Sequence, residues 1–191
     1  MHFFGGRNAD RDPRELAREY ALHFPRPPDA IAGEWTPFYI FGSNVPAQLR
    51  AAAPDVRLLV LLRDPVERYR SGAVRKPEAA RNAMLRGMYA TQLARFLEVF
   101  PREQMLVQQY ERCLADPPGE LARTLEFLRV DPFVPRTFDR AGARSFGAGE
   151  ELPARLRERL TRRYEPEILR LAELGIDVDL ALWPNFTHLA K

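Results

Sequence analysis

Val56-Arg57-Leu58-Leu59-Val60-Leu61-Leu62-Arg63-Asp64-Pro65-Val66-Glu67-Arg68-Tyr69-Arg70-Ser71-Gly72 joins an apolar run directly to a helix start. Val56 to Leu62 is apolar apart from Arg57. So short an apolar run fits a strand buried on both faces, as in a parallel sheet. Directly after it, Asp64-Pro65-Val66-Glu67 carries the signals of a helix start. A short carboxylate can accept the orphan amide hydrogens, proline sits at the first helical position, and Glu stands three residues after the cap. A buried strand that runs straight into a helix is the opening of a strand–helix–strand unit.

The same signals recur on either side. Asp12-Pro13-Arg14-Glu15 predicts a helix that runs to about Leu22. Ala30 to Trp35 is a candidate strand ending at Thr36-Pro37. Leu85, Tyr89, Leu93, Phe96, Leu97 and Phe100 fall on one face of a long helix, and Met105 to Tyr110 is another strand. Asp116-Pro117 starts a helix with a core face of Leu121, Leu125 and Leu128. Leu152, Leu156 and Leu160 keep helical spacing. Pro166 then breaks or kinks that helix, and a second part carries Ile168, Leu171 and Leu174 up to Gly175. Strands alternating with helices predict an α/β fold, a mostly parallel sheet flanked by helices. One domain spans 1–191, with 131–152 as a mobile loop.

Composition narrows the partners. The chain has 191 residues, 29 Lys+Arg against 26 Asp+Glu, and a net charge of +3. Only Lys76 and Lys191 are lysines, so arginine dominates. Arginine suits bidentate contacts to phosphate, sulfate and carboxylate. Arg155, Arg157, Arg159, Arg162 and Arg163 alternate with Glu158 and Glu165. That is the pattern of a solvated helix face, and no nucleic-acid partner is expected. A lone Cys113 excludes an internal disulfide framework, and no histidine pair has metal-ligand spacing. With no signal peptide and no long apolar run, a cytoplasmic protein with no membrane span is expected.

In an open α/β sheet, ligands bind at the carboxyl ends of the strands. Three polar clusters fall there: Glu34-Trp35-Thr36, Arg63 with the following helix, and Gln108-Gln109-Tyr110-Glu111. Arg63 is delivered to the sheet edge, and Ser71 lies about two turns into the helix, so both can pinch one anionic group. Asp64 should already occupy the free amides of that helix, which leaves the anion to the side chains. The competing reading pairs Arg63 with Asp64 or Glu67 at the surface, where strand ends are polar because they meet water.

Arg63-Asp64-Pro65-Val66-Glu67-Arg68 with Ser71 resembles the 3′-phosphate-binding motif of sulfotransferases that use 3′-phosphoadenosine 5′-phosphosulfate (PAPS). His2-Phe3-Phe4 resembles the His-Phe-Phe of the heparan sulfate and other carbohydrate sulfotransferases and their bacterial relatives. Gly33-Glu34-Trp35-Thr36-Pro37-Phe38-Tyr39 resembles that family's Gly-Glu-x-Ser/Thr-Pro-x-Tyr segment. Gly87-x-Tyr89, Phe100-Pro101, Tyr110-Glu111 and Phe127-Leu128 follow in the family's order, and Tyr164 and Trp183 fit its closing helix and C-terminal aromatic. The resemblance implies a P-loop-NTPase-like sulfotransferase fold with PAPS or adenosine 3′,5′-bisphosphate as cofactor. It implies Arg63 and Ser71 on the 3′-phosphate. Arg144, Ser145 and Gly147 would belong to a loop closing over the same nucleotide. His2 and Glu34 are the candidate catalytic groups: His2 near the acceptor, Glu34 as a replacement base or as a cap of the Thr36-Pro37 turn.

Two family features are not in the sequence: a glycine-rich loop with a lysine after the first strand, and a Glu just before His-Phe-Phe. The expectation is a fold incomplete at its N-terminus, lacking a central strand between Val56–Leu62 and Met105–Tyr110. Three explanations stand open: a longer protein, a homo-oligomer or other partner completing the sheet, or direct pairing of the two strands. The functional readings are likewise two. One is sulfuryl transfer from PAPS to a hydroxyl or amine of a carbohydrate, lipid or small-molecule acceptor. The alternative is a catalytically inactive or partner-requiring nucleotide-binding domain on the same scaffold.

Overall fold

The computed structural model describes residues 3–5, 8, 11–25, 27, 30–73, 80–138 and 151–190. They fall into two compact units. The first takes its residues from Met1–Leu58 and Gln92–Met105, the second from Leu59–Thr91 and Leu106–Lys191.

In the first unit, α1 (Pro13–Leu22) packs against α2 (Val45–Ala52). Asp12 caps α1 by accepting the Arg14 amide, as its sequence predicts. Leu16, Val45 and Leu49 are buried. Phe3, Phe4, Tyr20, Phe24 and Tyr39 form an aromatic cluster of edge-to-face and tilted ring pairs. Residues 30–35 are not a strand: they carry no regular structure, and most are exposed. The weak apolar character of Ala30-Ile31-Ala32 leaves them nothing to bury against.

A two-stranded parallel sheet pairs β1 (Leu58–Leu62) with β2 (Met105–Gln109), all but the first residue of each strand belonging to the second unit. The two strands are hydrogen-bonded neighbours, with no strand between them. β1 is not buried on both faces. Leu62 is buried, but Leu59 is 47% and Leu61 57% exposed, so alternate side chains face out. The sheet is thus smaller than an α/β sheet flanked on both sides. Most of the described regular structure is helical.

Helices α3 (Pro65–Ala73), α4 (Ala80–Leu85) and α5 (Tyr89–Leu97) follow β1. The long helix expected over 85–100 is thus two helices that meet near Gly87. The apolar face is nevertheless correct: Tyr89, Leu93, Phe96 and Phe100 are buried. Gly87 explains the break by close approach. A Cβ there would lie 2.6 Å from the ring of Tyr164, whose hydroxyl donates to the Met84 carbonyl at 2.9 Å.

After β2 come α6 (Tyr110–Ala115), α7 (Pro117–Leu128) and α8 (Ala154–Glu173). Tyr110 opens α6 rather than closing the strand. Asp116 caps α7 through the Gly119 amide. Pro166 does not interrupt α8, which runs as one helix of 20 residues. Its buried face of Leu160, Tyr164, Glu167, Ile168 and Leu171 gains enough from packing to offset one lost backbone hydrogen bond. α8 ends in a Schellman turn. Ile176 donates to Leu171 and Gly175 to Ala172, with Gly175 at φ +69°. No helix among the described residues is long and apolar enough to cross a membrane.

Gly87→Ala is expected to destabilise the protein by roughly 2 kcal/mol or more, because the added methyl must displace a buried ring. Urea denaturation measures it. A loss below about 0.5 kcal/mol contradicts the close approach.

Candidate functional site

The second unit builds its polar centre at the carboxyl ends of β1 and β2. Asp64 is fully buried. One carboxylate oxygen accepts from the amides of Val66 (2.8 Å) and Glu67 (3.2 Å), which caps α3. The other accepts from the Asn185 amide (3.2 Å) and from Asn185 Nδ2 (2.8 Å). A buried carboxylate survives only when its lone pairs are used, and here four donors use them. The Asp64 amide donates to Glu111 (3.0 Å), whose second oxygen accepts from Trp183 Nε1 (2.8 Å). Gln109 and Asp179 exchange two bonds of 2.9 Å, and the Tyr89 hydroxyl donates to the Arg63 carbonyl at 2.8 Å. The C-terminal segment 179–186 is thereby tied to the ends of both strands.

Glu67 does not close a reciprocal capping box, since Glu111 has taken the Asp64 amide. Instead Glu67 receives Arg70 Nε and Arg157 Nη1, each at 2.8 Å. Burial pushes its carboxyl upward. The hydrogen bond from Arg157 and the charges of Arg70 and Arg157 outweigh that, and its pKa settles below the ordinary 4.5.

Both carboxylates that could have neutralised Arg63 are therefore occupied. The Arg63 guanidinium lies over the ring of Tyr110, 5.1 Å from its centre, and among the described residues no carboxylate pairs with it. Ser71 is half-buried, six residues beyond the first residue of α3, on the helix face shared with Asp64. No hydrogen bond joins Ser71 to Arg63. Both belong to the same loop-and-helix segment.

In the first unit, Glu34 is at no strand end. Its carboxylate accepts a hydrogen bond from the Tyr39 hydroxyl. That hydroxyl in turn accepts from the amides of Phe3 (3.1 Å) and Phe4 (3.3 Å). Burial first, and the bond to Glu34 second, push the Tyr39 phenol up to about 12. Beside it lies an open cavity of about 300 Å³ lined by Phe4, Gly5, Phe38, Tyr39, Phe41, Gly42 and Val45. His2, Arg144, Ser145 and Gly147 lie outside the described residues, as do Lys76 and Lys191. Among the described residues no cluster of His, Cys, Asp and Glu could hold a metal ion.

Sequence reading missed Asn185, Glu111 with Trp183, and the Gln109–Asp179 exchange as the groups that organise this centre. Gln109, Tyr110 and Glu111 were visible only as a polar cluster at a strand end, and Trp183 only as a C-terminal aromatic.

No family model matches the chain. It is 32% identical over 156 residues to human heparan sulfate glucosamine 3-O-sulfotransferase 3B1, covering 70% of this chain and 39% of that protein. It is 31% identical over 155 residues to human heparan sulfate glucosamine 3-O-sulfotransferase 6, covering 70% of this chain and 44% of that protein. The chain thus spans less than half the length of these curated relatives. Among solved structures, a sulfotransferase from Alicyclobacillus acidocaldarius matches with a TM-score of 0.68 and 28% identity, over 91% of this chain and 74% of that one.

The Glu67 cluster makes a pH prediction. A carboxyl whose folded pKa is depressed contributes stability above its unfolded pKa, near 4.5, and loses it as pH falls through the lower folded value. Glu67→Gln should therefore lower the Tm at pH 7 and flatten its decline between pH 5 and pH 3, read by thermal melts. Parallel melting profiles for the two proteins contradict this.

Proposed function

Because the chain belongs to the sulfotransferase family, as a distant homologue of the heparan sulfate 3-O-sulfotransferases, we propose that it takes part in sulfuryl transfer from PAPS to an acceptor hydroxyl or amine. The observation that carries this reading is Arg63. It is a half-buried guanidinium at a strand's carboxyl end, left without a carboxylate because Asp64 and Glu67 are committed elsewhere. An arginine so placed suits a phosphate monoester, whose oxygens match the guanidinium fork.

The donor set fits the 3′-phosphate end of the cofactor. Arg63 would hold that phosphate with Ser71, and Tyr110 stacks behind the guanidinium and fixes its plane. Asp64 keeps the α3 amides occupied, so the anion is held by side chains rather than by the helix end. Arg144, Ser145 and Gly147 join the nucleotide loop by resemblance alone. When bound, PAPS supplies an activated sulfuryl group whose departure leaves charge on the 5′-phosphate. The acceptor proton needs a base. Glu34 is the candidate among the described residues, and its carboxylate is already engaged by Tyr39. His2 is the candidate for contact with the acceptor. A cytoplasmic location belongs to the same proposal.

Direct pairing of β1 with β2 favours a second reading, an inactive or partner-requiring nucleotide-binding domain. Turnover of PAPS by this chain with a panel of hydroxyl acceptors separates the two. Sulfated product argues for the enzyme, and nucleotide binding without product argues for the binding domain.

Arg63→Ala should weaken adenosine 3′,5′-bisphosphate at least about ten-fold while leaving adenosine 5′-phosphate within about two-fold, measured by calorimetry. Equal losses for both nucleotides contradict the assignment of Arg63 to the 3′-phosphate.

A further inference from the structure

Helix α8 carries a concentration of arginines that its own carboxylates do not neutralise. Arg155, Arg159, Arg162, Arg163 and Arg170 are all exposed. At 3.6 residues per turn they fall within about 100° of arc and run about 22 Å along the helix. The opposite face, with Leu160, Tyr164, Ile168 and Leu171, is buried. Three of the glutamates of α8 are already engaged. Glu158 holds Arg162. Glu165 meets His188 at 2.9 Å. Glu167 accepts from the Thr91 amide at 2.8 Å and the Thr91 hydroxyl at 2.6 Å. Among the described residues no carboxylate pairs with Arg155, Arg159, Arg163 or Arg170.

This arrangement works against the helix that carries it. Arg155, Arg159 and Arg163 repeat every four residues, the spacing at which like charges destabilise a helix. The first turn holds Arg155 and Arg157 and no acidic residue, against the positive end of the helix dipole. A face that meets only water is better served by interspersed charges of both signs. A stripe of one sign, kept against local stability, is matched to an anionic surface outside the chain.

The side chains among the arginines narrow the partner. Leu169 is 54% exposed at the edge of the same arc. An apolar side chain flanked by arginines suits the boundary between lipid headgroups and acyl chains. There the arginine stems lie along apolar surface while the guanidinium groups reach phosphate. A nucleic-acid strand calls instead for exposed aromatic rings that stack on bases, and the aromatic residue of α8, Tyr164, is fully buried. Pro166 leaves α8 as one helix, so the stripe is continuous along its length, as a planar array of charges requires.

We propose that the outer face of α8 docks the protein on an anionic phospholipid surface. The guanidinium groups of Arg155, Arg159, Arg163 and Arg170 take lipid phosphates, and Leu169 sits at the acyl boundary. The association is peripheral and needs no membrane span. Its cluster of arginines falls in the range of about four to eight basic residues that such helices use. The inference stands on α8 alone and holds whether or not the chain transfers sulfuryl groups.

The test is co-sedimentation of the full chain with vesicles of phosphatidylcholine, with and without about 30% phosphatidylglycerol, in about 0.15 M salt. Thermal melts and binding of a labelled polythymidylate are measured on the same proteins. The expected result is binding to the anionic vesicles only, lost above about 0.5 M salt. Arg159→Glu should weaken it at least about ten-fold, Arg159→Gln about five-fold and Leu169→Ser about two-fold. Arg159→Glu sets a carboxylate one helical turn from both Arg155 and Arg163, so its melting temperature should equal or exceed that of the unchanged protein. Equal binding to both kinds of vesicle, binding to neither, or binding unchanged by Arg159→Glu overturns the proposal. A melting temperature lowered by Arg159→Glu assigns the arginine to the fold and overturns it too. Polythymidylate bound more tightly than the anionic vesicles overturns it in favour of a nucleic-acid surface.

Discussion

One buried carboxylate organises the second unit. Asp64 sits at zero exposure between a strand and a helix and satisfies four hydrogen-bond donors. Without those donors a buried charge there is costly, and with them it fixes three things together. It starts α3 at Pro65, it anchors the segment around Asn185, and it removes the helix amides from the pool of anion-binding groups. Glu111 repeats the device one strand away, taking the Asp64 amide and the Trp183 indole. The two strand ends are thus cross-braced by side chains and by the segment around Trp183 and Asn185.

The same commitment of carboxylates explains why Arg63 stands apart from the other arginines nearby. Arg70 and Arg157 both reach Glu67, and Arg123 reaches Glu120. Those pairs brace helices. Arg63 has an aromatic face instead, which orients the guanidinium without neutralising it. Arg63 is therefore distinguished from Arg70, Arg157 and Arg123 by an aromatic neighbour where they have carboxylates.

Much of this was legible in the sequence because the signals were local. Asp12, Asp64 and Asp116 each precede a proline, and each caps the helix that follows. The apolar face of Tyr89, Leu93 and Phe96 was visible from spacing alone. Features that depend on distant residues were not. Gly87 breaks a helix because Tyr164 needs its space, and no local pattern announces that. Pro166 stays inside a helix because the surrounding face is well packed. Residues 30–35 failed as a strand because a few apolar side chains without a neighbouring strand do not make one. At the candidate site, the helix start that carries Arg63 and Ser71 was legible from Asp64-Pro65. Asn185 was not found, because its bond to Asp64 spans 121 positions and asparagine near a C-terminus carries no signal of its own.

The decisive measurement is a structure of the protein with adenosine 3′,5′-bisphosphate bound. The 3′-phosphate should then lie against the Arg63 guanidinium and the Ser71 hydroxyl, with Asp64 still on the amides of Val66 and Glu67. A nucleotide bound elsewhere, with Arg63 still lying over Tyr110 and touching no phosphate, contradicts it.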